Sequence, residues 1–335
     1  MQAAIYGLAG EALSGEERAF FRDADPAGYI LFRRNIADLA QLQALTAELR
    51  SLHGRDDLPI LIDQEGGRVA RMRPPVWPAF PTAWTFAELY ARAPMTAIQA
   101  ARINAQAIAA MLREAGVNVD ALPLLDVRQE GADDIIGDRA LGAEPMQVAA
   151  LGRAVLDGLA LGGVVGIVKH MPGHGRSAVD SHKELPVVRA TAEELETDIA
   201  PFRTLCGAPM GMTSHVVYTA WDVEHPASHS ATVISEIIRG RIGFEGFLMS
   251  DDIGLHALSG AFSERTARAL AAGCDAALHC SGKFEEMVDV AHGAAPLTPE
   301  GEARLARAMA ITAAPLANAS YAELAETRDR LIAAV

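Results

Sequence analysis

Eight short apolar runs recur along this chain, and most of them end on polar or charged residues. They predict strands near Ala3–Leu8, Gly28–Phe32, Pro59–Asp63, Val117–Asp126, Val164–His170, Met210–His215, Phe247–Asp251 and Ala276–His279. Between most of them lie stretches with helical periodicity, among them Asp38–Leu52, Ile98–Ala115, Pro145–Leu161, Ala192–Leu205 and Glu264–Ala272. Eight βα repeats with near-continuously apolar strands fit a closed parallel barrel better than an open doubly wound sheet. A Gly-rich dinucleotide turn or Walker sequence, expected of many open sheets, is absent.

The chain has 335 residues, 50% of them hydrophobic, enough for a large core. No low-complexity linker divides it, and the proline-rich stretch Arg73–Pro81 reads as a long βα loop. The expected fold is therefore α/β, a single (β/α)8 TIM barrel, with residues 1–335 forming one catalytic domain. Such barrels carry their active sites on the loops at the carboxyl ends of the strands. The polar residues fall there: Asp63, Asp126, Lys169 and His170, Ser214 and His215, then Ser250, Asp251 and Asp252.

A net charge of −14 without a basic run argues against nucleic acid or an anionic membrane as partner. Three cysteines, Cys206, Cys274 and Cys280, offer neither an even set nor a C-x-x-C pair, and read as small core residues in a reducing cytoplasm. The first residues lack a basic region ahead of an apolar run, and no apolar stretch approaches about 18 residues. The expected location is cytoplasmic, with no export and no membrane span.

The densest motif is KHMPGHGRSAVDSH, Lys169 to His182. A strand delivers Lys169 and His170 to its tip, and the following loop brings Asp180 within two residues of His182. A carboxylate beside an imidazole makes a general acid/base, because it fixes the tautomer and supports the imidazolium. In DQEGGRVAR, Asp63 to Arg71, an acidic strand tip, twin glycines and two arginines suit hydroxyl recognition, or equally a tight turn with an ion-pair network. Arg139, in IIGDRALG, could clamp a substrate; neutralising Asp133, Asp134 and Asp138 explains it as well. In GFLMSDDIGLHAL, Asp251 continues the strand toward the barrel mouth, whereas Asp252 is expected to begin the next helix.

No G-x-S-x-G elbow is present, and no cysteine sits in an obviously cationic turn. The candidate nucleophile is thus a carboxylate. A carboxylate nucleophile, a separate acid/base and several groups that can bind hydroxyls together describe covalent glycoside hydrolysis.

With these motifs in this order the chain resembles glycoside hydrolase family 3, and within it the single-domain bacterial β-N-acetylglucosaminidases of peptidoglycan recycling. The resemblance spans nearly the whole chain; Asp180 falls five residues after Gly175 and His182 seven. It implies that Asp251 attacks the anomeric carbon and that His182, paired with Asp180, protonates the leaving oxygen and then activates water. It also implies that Asp63, Arg71, Arg139, Lys169 and His170 hold the N-acetylglucosamine and its neighbour, with retention of configuration and no metal or other cofactor. The implied substrate is an N-acetylglucosaminide or muropeptide, N-acetylglucosamine joined to 1,6-anhydro-N-acetylmuramic acid with or without peptide. The oligomeric state is left open, a monomer being compatible.

Met171 stands where the family often has Phe, Ala140 and Leu141 where Ser-Phe is usual, and Gly254, Leu255 and His256 where Ser-Met-Glu is typical. These departures bear on the subsites and leave each implied catalytic group in place. Two other classes compete. A metal-dependent amidohydrolase would use Lys169, His170, His215 and Asp251 but lacks an H-x-H at the first strand; a catalytically silent muropeptide-binding protein would not need Asp180, His182 and Asp251 together.

Overall fold

A computed structural model describes residues 1–129, 131, 134–177, 184–313 and 319–335. Eight parallel strands close into a barrel: β1 (Gln2–Gly7), β2 (Pro26–Leu31), β3 (Ile60–Ile62), β4 (Val119–Asp120), β5 (Val165–Met171), β7 (Met210–Thr213), β9 (Phe247–Asp252) and β10 (Ala276–His279). β1 pairs with both β2 and β10, which closes the ring. Two short strands outside it, β6 (Val187–Val188) and β8 (Val217–Tyr218), pair with each other.

Strand alternation divides the core into two layers. Ile5, Ile30, Leu61, Val165, Ile167, Met210 and Met249 fill the barrel, whereas their neighbours Tyr6, Tyr29, Leu31, Ile60 and Val168 pack outward against helices. The helices are α1 (Gly15–Ala24), α2 (Leu39–His53), α3 (Ala83–Arg92), α4 (Pro94–Glu114), α5 (Pro145–Leu161), α6 (Glu196–Thr204), α7 (Phe262–Ala272), α8 (Phe284–Gly293), α9 (Pro299–Met309) and α10 (Tyr321–Ala333). Val233–Arg241 forms a π-helical stretch. Local signals start and stop several of them. Ser14 and Glu17 form a capping box on α1, Asp38 caps α2, and Gly54 ends α2 in the left-handed region at φ 61°.

One end of the barrel is sealed. Leu305, Ala308 and Met309 of α9, with Leu297 before it, join the interior cluster, and the Leu297 N–H donates to the Met1 carbonyl at the start of β1. The other end, where the strands finish, remains for the site.

The expected strand Val117–Asp126 is shorter than its apolar length implied, because Pro123 has no N–H to give to a ladder. Pairing holds at Val119 and Asp120 and resumes after the proline, where Leu125 N–H donates to the Lys169 carbonyl at 2.8 Å. That detour carries Asp126 alongside the tip of β5. Asp252 itself does not open a helix; the next one, expected over Glu264–Ala272, is α7, Phe262–Ala272.

Candidate active site

Asp63, Arg71, Arg139, Lys169, His170 and Asp251 line one cavity of about 300 Å3 at the carboxyl ends of the strands, with Ile30, Met212 and Leu278 from the top of the barrel core beneath them. The structure thus brings together six of the eight residues singled out by sequence. The other two, Asp180 and His182, lie outside the described residues.

On one side of the cavity five charged groups form a closed network. Lys169 Nζ lies 3.0 Å from Asp63 Oδ1 and 2.7 Å from Glu65 Oε1. Arg71 reaches Asp63 Oδ2 at 2.9 Å, and Arg139 grips both oxygens of Glu65, each at 2.8 Å. Burial alone would raise both carboxyls, yet Lys169 with Arg71 holds Asp63 far below the carboxylate range, and Lys169 with Arg139 holds Glu65 down. Burial would also lower the Lys169 ammonium, but the two carboxylates raise it instead. Asp63, Glu65, Lys169 and Arg139 therefore stay charged. Charged donors and acceptors fixed before a ligand arrives suit recognition of hydroxyls.

Glu65 is the member of this network that the sequence reading did not single out. Its partner corrects another expectation: Arg139 pairs with Glu65, 74 residues away, while Arg68 takes Asp138 at 2.9 Å. Asp134 instead offers its backbone carbonyl to Arg68, and Asp133 is outside the described residues. The reading of a local arginine–carboxylate pair had the right chemistry and the wrong arginine. A signal was present in D-Q-E, two carboxylates two residues apart leaving a strand tip. Gln64 between them ties the loop together, donating to the Met72 carbonyl and accepting from the N–H groups of Arg71 and Met72. The Arg71 guanidinium then rests over the Phe32 ring at 5.1 Å.

A second cluster stands at the end of β5. Buried Asp126 accepts from the N–H groups of His170 (3.2 Å) and His174 (2.7 Å), and its other oxygen meets His170 Nδ1 at 2.8 Å. Burial opposes ionisation, but the His170 imidazole and the backbone donor bring Asp126 to about 2. With Nδ1 committed to Asp126, His170 is left Nε2 for the cavity.

Asp251, next to last in β9, lines the cavity with its side chain partly open. Burial would raise it; the His170 imidazole and the N–H of Asp252, which donates to Oδ1 at 2.7 Å, bring it below the ordinary carboxyl value. It is ionised at neutral pH. His215 braces this tip: Nε2 donates to the Asp252 carbonyl at 2.9 Å while Nδ1 accepts from Ser228 Oγ at 2.7 Å. Burial lowers the His215 pKa, keeping it neutral.

Asp252 has the structural role expected of it, by a different route. Its Oδ1 accepts from the N–H groups of Gly254 (2.9 Å) and Cys280 (3.1 Å), tying β9 to the end of β10. Burial, and then the charge of Asp251, push it up to about 6. Two adjacent carboxyls thus differ in acidity, and below about pH 6 Asp251 is the ionised one. Of the cysteines, Cys274 is buried as expected, but Cys206 is half-buried and Cys280 lines the cavity, because it is the first residue beyond the tip of β10.

The depressed carboxyls make acid stability a test of this arrangement. The folded state binds fewer protons than the unfolded one wherever Asp63, Glu65 and Asp126 stay ionised below the unfolded carboxyl value of about 4. Their stabilising contribution is full above that value and is lost as pH falls toward the folded pKa of Asp126, about 2. Asp252 works in the opposite sense: its folded pKa of about 6 lies above the unfolded value, so its cost to stability, full above about pH 6, is relieved as pH falls through about 4 and only partly offsets the three depressed carboxyls. The melting temperature is expected to drop steeply between about pH 4 and pH 2; a profile flat down to pH 2 would refute the network's ionisation.

Residues 5–309 match the model of the glycosyl hydrolase family 3 N-terminal domain. A β-hexosaminidase of Bordetella avium is 39% identical over 313 residues, spanning 92% of this chain and 88% of the relative. One of Aromatoleum aromaticum is 38% identical over 304 residues, 89% and 84% of the two chains. Among solved structures, native NagZ from Neisseria gonorrhoeae has a TM-score of 0.84 at 30% identity, covering 99% of this chain and 96% of that one. The same protein in complex with N-trifluoroacetyl-D-glucosamine gives 0.85 over the same shares. A barrel with its polar residues gathered at the strand ends, a family model spanning most of the chain, and relatives of matching length lead to one statement: the chain is a glycoside hydrolase and belongs to glycosyl hydrolase family 3.

Proposed function

We propose that this protein is a retaining exo-β-N-acetylglucosaminidase that releases N-acetylglucosamine from 1,6-anhydro-N-acetylmuramic acid, with or without attached peptide, during peptidoglycan recycling in the cytoplasm. The reading treats the chain as one catalytic domain. The observation that carries it is the ionised Asp251 facing, across one cavity, a pre-charged network suited to sugar hydroxyls. The names of the Bordetella and Aromatoleum relatives and the sugar-analogue complex of the Neisseria NagZ support the N-acetylhexosaminide class. Three unpaired cysteines are consistent with a reducing compartment. Family membership weighs against the amidohydrolase alternative.

In this mechanism Asp251 forms a bond to the anomeric carbon as the bond to the aglycone oxygen breaks. His182, oriented by Asp180, gives that oxygen a proton. The neutral imidazole then takes a proton from water as the water oxygen displaces Asp251 and restores the β configuration. Histidine titrates near neutrality, so it serves as acid and then base without the large upward shift a carboxylic acid would need. Asp63, Arg71, Arg139, Lys169 and His170 hold the sugar.

Product analysis tests the reading directly. Incubation with anhydro-muropeptides is expected to release N-acetylglucosamine, seen first as the β-anomer by proton NMR; an α-anomer formed first would overturn double displacement. The acid/base assignment has its own readout. His182→Ala should lower kcat/KM on the disaccharide by about 100-fold or more yet spare bond cleavage in aryl substrates whose leaving groups need no proton. Equal losses on both would remove His182 from the proton-donor role.

A further inference from the structure

His174 lies in the turn after β5 and lines the sugar cavity, though it is only 4% exposed. Asp126 holds its backbone N–H, and its ring packs edge-on against His170 with centroids 5.7 Å apart. Nδ1 is buried and has no hydrogen-bond partner among the described residues. An orphaned polar atom in the interior lowers stability, and an apolar ring of the same shape would remove that cost. The sequence nevertheless has histidine here, in the one wall of the barrel mouth where a ligand can meet it.

His174 shares the lining of the cavity with Asp251, and its ring packs against that of His170. Burial first, and His170 next, keep the imidazole neutral, with a pKa of about 4. A neutral imidazole has one N–H. Leaving Nδ1 as a bare lone pair, rather than a buried unpartnered donor, puts the proton on Nε2.

We propose that His174 is a specificity-determining contact of this cavity, donating from Nε2 to the substituent on the sugar carbon next to the one that Asp251 attacks. The inference rests on the N-acetylglucosaminidase reading above, in which that substituent is an acetamido group whose carbonyl oxygen accepts. Hydrogen bonds at this position strengthen as positive charge develops on the anomeric carbon, so their loss falls on kcat more than on KM.

The test pairs His174→Phe, which keeps a ring and removes both nitrogens, with His174→Gln, which restores a side-chain N–H. Both are assayed on an aryl β-N-acetylglucosaminide and on the aryl β-glucoside that differs only at the second carbon, the glucoside under single-turnover conditions. His174→Phe is expected to melt no lower than wild type and to lose about 10- to 100-fold in kcat/KM on the N-acetylglucosaminide, with the glucoside changed only a few-fold. His174→Gln should recover part of the loss. Proportional losses on both substrates, or no loss on either, overturn the proposal while leaving the function reading intact. A wild-type enzyme silent on the N-acetylglucosaminide would overturn both.

Discussion

Asp251→Ala is expected to turn over an aryl β-N-acetylglucosaminide at least about 10,000-fold more slowly than wild type, with KM little changed. The size follows from what is removed. No other described carboxylate in the cavity is both ionised and unclaimed: Asp63 and Glu65 are bound in the charge network, Asp126 is spent on His170 and His174, and Asp252 is uncharged below about pH 6 and tied to two backbone N–H groups. None can take over attack on the anomeric carbon. Binding should survive, because the hydroxyl-binding network does not include Asp251. Folding should survive as well, since the substitution removes a charge that burial disfavours and that repels Asp252. The vacated space offers a second readout. Azide entering there should attack the anomeric carbon from the same face and yield the α-glycosyl azide. Wild-type turnover by Asp251→Ala would remove the nucleophile assignment outright.

The barrel was legible because its two periods are written separately in the chain. Apolar runs such as VVGIV and FLM are too short and too uniformly apolar for amphipathic helices, and each gives way to a charged tip where the strand leaves the core. Tips can be read one at a time; partners cannot. Asp63, Lys169 and His170 could be named from their places at strand ends, and Arg71 and Arg139 from the loop motifs that carry them, yet the pairing of Arg139 with Glu65 spans 74 residues and depends on how the connections after β3 and β4 fold over the mouth. Local charge matching pointed instead to the neighbouring aspartates. The seal of the barrel by α9 was invisible for a similar reason: Leu305, Ala308 and Met309 read as one face of any amphipathic helix, and nothing in their spacing says which surface they cover. Glycine in the HMPGHG turn carried a third ambiguity. Glycines in such a turn can serve as hinges or as points of close approach; here a Cβ on Gly175 would overlap the Val127 backbone, and one on Gly173 would sit 3.0 Å from Asp198 Cβ. Close packing accounts for both positions before any motion is invoked.

Glu65→Gln is expected to damage the enzyme in two separable ways. Glu65 is nearly buried and carries the only carboxylate, among the described residues, that Arg139 pairs with, while sharing Lys169 with Asp63. Neutralising it leaves a guanidinium and an ammonium facing each other inside the wall of the cavity with a single remaining anion, Asp63. Removing one partner of such a buried pair costs about 3 to 5 kcal/mol, because the surviving charge keeps its desolvation penalty and loses its compensation. The melting temperature should fall by about 3 to 10 °C. Activity should fall by about 100-fold or more, through displacement of Arg139 and Lys169, with KM rising because ground-state sugar contacts are lost. The two effects separate in a double variant. Glu65→Leu with Arg139→Met replaces the pair by apolar groups of similar length and leaves Lys169 to Asp63. Its stability should recover above that of Glu65→Gln, while turnover stays low because the guanidinium is gone. Recovery of stability without recovery of activity would mean that this pair is maintained for the substrate. If Glu65→Gln melted and turned over like wild type, Lys169 and Arg139 would not depend on Glu65, and Asp63 with Arg71 would have to organise the sugar cavity without it.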